Sequence, residues 1–325
     1  MSPGGISLPS RDVAKQVPRL PELPGRAAAT VATGRYVLVF HSGALGDFIL
    51  TWPIVLGIAR IMAQSRTIVI TGGDKGRLAE EVLRVEHRDA ESGWHGLFGD
   101  GRLPDKPKKL LAGARQLVSF VADAGDTWAA NAGKAAPGAE CVFIKPPPRE
   151  LQDEHASDFL LKQLESNPVL HAAAAGLRES QRKTGLMPRL HDPKGPVLLH
   201  PGSGSPKKTW PAESWVALAE QFKSQGRRVR VVLGEVERER PELANAFDDL
   251  ADVQRPADLS ELLFLLRGAG GFVGHDSGPT HLAAAVGLPT VACFTDATDP
   301  AVWSPVGPSV RVHQDDPASL DPSAV

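Results

Sequence analysis

The sequence predicts an α/β protein made of two doubly wound, Rossmann-like halves. Three observations lead there. Short β-type apolar runs alternate with amphipathic helical stretches, which is the pattern of a mostly parallel sheet covered by helices. The alternation stops at Pro146–Glu150 (PPPRE), passes through two helical stretches and a proline- and glycine-rich segment near 185–195, and restarts at PVLLH. Several strands end in turns of small and polar residues, where open α/β sheets bind ligands. A length of 325 residues favours two domains over one. The boundaries expected are a leader over 1–34, a first half over 35–190 and a second over 191–325.

Composition limits the function classes. An apolar fraction of 42% and a charged fraction of 23% are those of an ordinary soluble globular chain. With a net charge of −2 there is no global basic field to attract nucleic acid or an acidic membrane surface. No apolar run approaches the roughly 18–20 residues needed to span a bilayer. The two cysteines, Cys141 and Cys293, sit in apolar runs and read as inert thiols in a reducing compartment. Residues 1–34 carry five prolines and no apolar core segment, so a disordered or loosely docked leader is expected rather than a signal peptide. A cytoplasmic enzyme is the default expectation.

In chain order, YVLVF (36–40) is a strand closed by the glycines of SGALGD, and a helix follows from Asp47 to Gln64 with Pro53 in its first turns. RTIVITG is a strand, LAEEVLRV a helix, KKLLAGARQL a helix, LVSFVAD a strand and ECVFI a strand. Helices are expected over 155–166 and 169–184. After the linker, PVLLH is a strand, AESWVALAEQFKSQG a helix, RRVRVVLG a strand, and EVERERPELANAF a charged helix broken by Pro241. DLSELLFLLRGA is a helix, and GFVGHD, PTHLAAAVG and PTVACF give strand, helix, strand.

Four strand-end loops carry candidate chemistry. In SGALGDF, Gly43 and Gly46 permit a tight turn and close approach, and Asp47 stands at a helix N-terminus. A carboxylate there is also what helix capping favours, so both roles stay open. In HPGSGSPKKTWP (200–211), small residues present backbone donors, Ser203 and Ser205 add hydroxyls, and Lys207 or Lys208 adds charge, a combination suited to a diphosphate, with a solvated loop before an ordinary helix start as the alternative. It is no Walker loop, because no glycine precedes either lysine. After VVLG, Glu235 or Glu237 has the position of a ribose-binding acid, or of a helix-dipole partner. In GHDSGPTHLAAAVGLPTVACF (274–294), Asp276, Ser277 and Gly278 form a turn before a helix carrying His281. The turn aims backbone N–H groups at a phosphorylated ligand, and Asp276 and His281 add a carboxylate and a ring. DSGP has the residue types of a serine-protease nucleophile loop, but that loop belongs to an all-β fold and these surroundings are βα.

The remaining features have blander readings. Trp94 and His95 read as rim aromatics before pocket lining. KPKK (106–109) and GGDKGR (72–77) read as solvated charged faces, with contact to an anionic acceptor as the alternative. No His, Cys, Asp or Glu cluster has metal-ligand spacing, and no DxD pair is present to hold a divalent cation.

Taken together, GALGD (43–47), HPGSGSPKKTWP (200–211), VLGEVE (232–237), HDSGPTHLAAAVGLPTV (275–291) and TDPAVWSPVG (298–307) resemble glycosyltransferase family 9, the ADP-heptose:lipopolysaccharide heptosyltransferases. The resemblance runs in order from about Arg35 to Gly307 and is densest in the second half. It implies a GT-B fold, two Rossmann-like domains facing a cleft, with the acceptor on the first and the nucleotide sugar on the second. It implies metal-independent, inverting transfer without a cofactor, the nucleotide sugar being a substrate. Asp47 matches the catalytic aspartate, with Gly43 and Gly46 in the acceptor-side turn. Ser203, Ser205, Lys208, Glu237, Asp276, Ser277, Gly278 and His281 match donor-binding positions. The partners implied are an ADP-linked sugar and a saccharide or glycolipid acceptor, which would bring the protein to the inner face of the membrane, and no nucleic acid. The alternatives on the same fold are a non-catalytic sugar-nucleotide binder and a sugar-nucleotide epimerase, which donor binding and product analysis would separate.

Overall fold

A computed structural model of the protein describes residues 35–187, 191–234, 237, 243, 245–247 and 250–325. The leader expected over 1–34, part of the linker and most of the charged helix expected after Gly234 lie outside the described residues.

The described chain forms two parallel sheets. The first has five strands, β1 (Tyr36–Phe40), β2 (Arg66–Thr71), β3 (Glu86–Asp89), β4 (Ala114–Ser119) and β5 (Glu140–Phe143), in the order β3-β2-β1-β4-β5. The second has six, β6 (Val197–His200), β7 (Val229–Val232), β8 (Asp252–Gln254), β9 (Gly271–His275), β10 (Thr290–Cys293) and β11 (Val310–His313), in the order β11-β10-β9-β6-β7-β8. Each sheet starts in its middle and winds outward both ways, so its strand order reverses beside its first strand. That places the loops after β1 and after β6 and β9 at the switch points where such sheets leave a crevice.

The helices are α1 (Leu45–Leu50), α2 (Trp52–Ile61), α3 (Gly73–Leu83), α4 (Asp105–Ala112), α5 (Thr127–Ala135), α6 (Ala156–Lys162), α7 (Pro168–Thr184), α8 (Ala212–Ser224), α9 (Leu259–Arg267), α10 (Gly278–Val286) and α11 (Pro300–Trp303). The single helix expected over Asp47–Gln64 is two. Thr51 turns its hydroxyl back onto the Phe48 carbonyl (2.7 Å), and Pro53, lacking an N–H, is accommodated in the first turn of α2. The helix expected to run through KKLLAGARQL ends at Gly113, and ARQLVS pairs with β1 as strand.

One core cluster spans both sheets, joining Val37, Val39 and Phe48 to Leu198, Phe272 and Leu282. Separate clusters cover the far face of each sheet. Trp94 belongs to one of these: it is buried and edge-on to Phe40 at 5.3 Å, a core residue and not a rim aromatic. Cys293 is buried and its thiol is pushed up to about 12 by burial, while Cys141 is half-buried and shifted the same way; both are free.

Contacts between the two halves are numerous. Arg267 on α9 pairs with Glu81 on α3 at 2.7 Å, and the His155 ring, which caps α6, lies 2.8 Å from the Ser304 carbonyl. Gln181 donates to the Val306 carbonyl (3.0 Å) and Leu186 N–H to Ala285 (2.7 Å). α1 also packs tightly against α10, where a Cβ built on Gly278 would stand 2.6 Å from Leu45 Cβ. Gly278→Ala is therefore expected to destabilise the fold by about 1–3 kcal/mol through overpacking. Urea unfolding checks this, and Leu45→Ala in the same chain should recover part of the loss.

Candidate functional site

The Gly43–Asp47 turn begins where β1 ends. Ala44 is the N-cap of α1 and Asp47 is its third residue, with Asp47 Oδ2 accepting the Ala44 N–H at 3.3 Å. Asp47 thus does cap the helix, through the backbone three residues earlier, and remains half-exposed. Gly43 sits between two side chains: a Cβ there would stand 3.0 Å from His41 Cε1 and 3.3 Å from Asp47 Oδ2. His41 is buried against Phe48 and Phe120, and burial, with the Lys75 charge nearby, pulls its pKa down to about 3. Lys75, from the GDKGR segment, is half-buried and donates to the Gly43 carbonyl. It is not part of a solvated charged face. The KPKK lysines 106, 108 and 109 are exposed.

The second half supplies a tighter cluster around Asp276, at the end of β9. The carboxylate is buried. Its Oδ2 accepts from Lys208 Nζ at 2.7 Å and from Thr298 Oγ1 at 2.9 Å. His281 Nε2 lies 3.8 Å from Oδ1, beyond a direct hydrogen bond but close enough to act electrostatically. Burial alone would raise the pKa of Asp276, yet the His281 ring and the Lys208 ammonium outweigh it and bring the carboxyl to about 2. The Ser203 hydroxyl is committed to the Asp276 carbonyl (3.0 Å), tying the two loops together. Ser277 and Thr280 hydroxyls are 3.0 Å apart at the start of α10. Ser205 precedes the short 3-10 turn Pro206–Lys208.

His275 is fully buried and pins the lysine loop: its Nε2 accepts the Trp210 N–H at 2.9 Å, and its ring meets Trp215 edge-on at 4.8 Å. Accepting requires the neutral ring, and burial together with the His200 ring pulls its pKa down to about 3. Glu237 is buried; its Oε2 accepts the Gly234 N–H at 2.8 Å, and its Oε1 would lie 1.9 Å from a Cβ at Gly202. Only glycine at 202 leaves room for this carboxylate against the 200–208 loop. Glu235 lies outside the described residues.

The two clusters meet. A Cβ on Gly46 would be 3.2 Å from His281 Cδ2, so the turn bearing Asp47 and the helix bearing His281 are in van der Waals reach. The structure thus sets Leu45 and Gly46, from the turn that holds Gly43 and Asp47, against Gly278 and His281, with Ser203 and Lys208 each bonded to Asp276. It leaves Lys207 exposed, its carbonyl accepting from Thr295 at 2.8 Å. Thr298 and Lys75 join the site without having been singled out for these contacts. Thr298 was legible within the TDP motif, whereas Lys75 shows only when β2 is placed beside β1. Among the described residues, no three His, Cys, Asp or Glu side chains form a group that could hold a metal, and no helix is long and apolar enough to cross a membrane.

Residues 152–320 match the family described as glycosyltransferase family 9 (heptosyltransferase). The lipopolysaccharide heptosyltransferase 1 of Pseudomonas aeruginosa is 37% identical over 126 residues, 38% of this chain and 34% of that protein. Its namesake from Campylobacter coli is 28% identical over 105 residues, 30% of this chain and 31% of that protein. The chain therefore aligns with about a third of the length of these relatives. Among solved structures, a glycosyl transferase family 9 protein from Veillonella parvula DSM 2008 superposes with a TM-score of 0.63 at 16% identity, covering 86% of each chain. E. coli heptosyltransferase WaaC with ADP gives 0.60 at 18% identity, covering 87% of this chain and 94% of that one. E. coli ADP-heptose lps heptosyltransferase II gives 0.61 at 16%, covering 89% and 96%. At such identities the likeness is one of fold, and the fold is GT-B.

Proposed function

Because the chain belongs to glycosyltransferase family 9, we propose that it transfers heptose from ADP-heptose to a saccharide acceptor of the lipopolysaccharide-core type, with inversion and without a metal ion. The observation that carries this reading is the meeting of the Asp47 turn with the His281 helix, beside the Lys208–Asp276 pair. Asp47 takes the proton of the acceptor hydroxyl. The oxygen attacks the anomeric carbon from the face opposite the nucleotide, and the bond to the β-phosphate breaks with its electron pair leaving on ADP. The leaving diphosphate needs fixed positive charge, which Lys208, the backbone N–H groups of the 200–208 loop and the N-terminus of α10 supply. Ser205 and Ser277 stand at the same edge, and Ser203 and Thr298 hold Asp276 in place. Glu237, lying on the Gly202 loop, is placed to accept from ribose hydroxyls. The chemistry fits a cytoplasmic setting, with the glycolipid acceptor presented at the inner face of the membrane.

Thermal unfolding in the presence of ADP-, GDP-, UDP- and CDP-linked sugars, with and without EDTA, tests the donor. The ADP-linked sugar alone should raise the melting temperature, by an amount equivalent to about 2.7 kcal/mol at 100 times its Kd, and chelator should not change it. Lys208→Ala should lose most of that shift. Absence of a shift with every sugar nucleotide would sink the donor assignment, and loss of the shift on adding EDTA would sink metal independence.

A further inference from the structure

We infer that Lys75 is a positioning residue for the sugar-transfer step: it reaches from the loop after β2 to the Gly43 carbonyl and holds the Gly43–Asp47 turn in its reactive shape. The inference rests on the reading of Asp47 as the base that takes the acceptor proton. It concerns a residue in none of the matched motifs.

The placement of this lysine is physically costly, and that cost needs a reason. Lys75 is the third residue of α3, whose first turn repels a cation through the helix dipole. A lysine so placed ordinarily turns its ammonium into water. Lys75 does the opposite. It is half-buried, its ammonium donates to the Gly43 carbonyl, and burial lowers its pKa while the Asp47 carboxylate opposes that shift. β2 pairs with β1 in parallel register from Tyr36–Arg66 to Phe40–Ile70, so the loops after the two strands emerge side by side and the reach is short.

What Lys75 grips is the weakest part of the turn. Gly43 has the freest backbone in it, with His41 packed on one flank and Asp47 on the other. Among the described residues, the only side-chain hydrogen bond of Asp47 is the 3.3 Å one it accepts from Ala44 N–H, one residue beyond Gly43. Rotation about Gly43 would therefore carry the Ala44 N–H, and with it the carboxylate, away from an acceptor hydroxyl. A shift of about 1 Å at a reacting group is enough to cost on the order of 100-fold in rate. Fixing the Gly43 carbonyl removes that freedom, and the ammonium also places a positive charge near the carboxylate.

The test compares Lys75→Met, Lys75→Gln and Lys75→Arg in the full chain. Transfer is measured with ADP-heptose and heptose-deficient lipopolysaccharide, ADP binding by calorimetry, and backbone hydrogen exchange by mass spectrometry. Lys75→Met should lower kcat by at least about ten-fold while the Kd for ADP and the melting temperature stay near wild type. Lys75→Arg should recover most of the rate, and Lys75→Gln should fall between. Exchange in the peptide covering 41–50 should quicken in Lys75→Met, with the peptide covering 276–286 unchanged. Unchanged exchange over 41–50 overturns the inference whatever acceptor the enzyme uses, as does an equal loss of rate in the Met and Arg variants. Full transfer by Lys75→Met alongside a dead Asp47→Asn overturns the Lys75 inference alone. Full transfer by Asp47→Asn removes the base assignment on which it rests.

Discussion

Asp47→Asn should yield a folded protein that binds ADP-heptose as well as the parent but transfers its sugar about 100- to 10,000-fold more slowly. The change keeps the shape of the side chain and an oxygen to accept the Ala44 N–H, so the start of α1 should hold. It removes the one property that a base needs, the capacity to take a proton. The loss corresponds to about 3–5 kcal/mol of transition-state stabilisation and should fall on kcat. The donor contacts proposed above lie on the other half, around the Lys208–Asp276 pair, and do not include the Asp47 carboxylate. Steady-state transfer with calorimetric ADP binding separates the two effects. A variant that lost ADP affinity in step with rate would show Asp47 to be a donor contact.

The second large effect is on stability in acid. His41 and His275 are buried and neutral, each with its pKa pulled down to about 3 from 6.5, by burial first and then by the Lys75 charge and the His200 ring respectively. Between those values the unfolded chain binds protons that the folded chain refuses. Stability therefore falls as pH drops through that window, by about 2 kcal/mol per histidine between pH 7 and pH 5. Together they should cost about 4 kcal/mol over that interval, a large part of an ordinary folding free energy. Asp276 adds a loss of the same sign lower down, between 3.8 and about 2, where its carboxylate is protonated on unfolding first. Urea unfolding at pH 7 and pH 5 measures the slope. His41→Phe, which keeps a ring against Phe48 and Phe120, should remove about half of it. A wild-type stability that stayed flat from pH 7 to 5 would show that the two rings are not held neutral.

Much of this arrangement was legible in the sequence, because buried parallel strands are written as short apolar runs. YVLVF, RTIVIT, VLLH, GFVGH and TVAC all appear where expected. The elements that escaped are mostly at edges. β3 is Glu-His-Arg-Asp and β8 is Asp-Val-Gln. A strand paired on one side and open to water on the other needs no apolar run, and charge there discourages further pairing. Asp47 illustrates a different limit. Its spacing fits a capping carboxylate and a base equally well, and the structure shows it capping while half-exposed, so local pattern had no means to choose. The contact of Lys75 with Gly43 was invisible for a third reason: it joins residues 32 apart in the chain, brought together by strand pairing rather than by any motif.

The contact between Leu45 and Gly278 also bears on how such a protein can be recombined. The two residues come from different halves, yet one has the bulk the other lacks, with no space for a further methyl group between them. A hybrid enzyme that borrowed its first half from one relative and its second half from another would inherit mismatched thicknesses at this point unless both positions travelled together. The proper unit of exchange is thus not the domain as the chain draws it, but a domain plus the single residue that faces it from across the crevice.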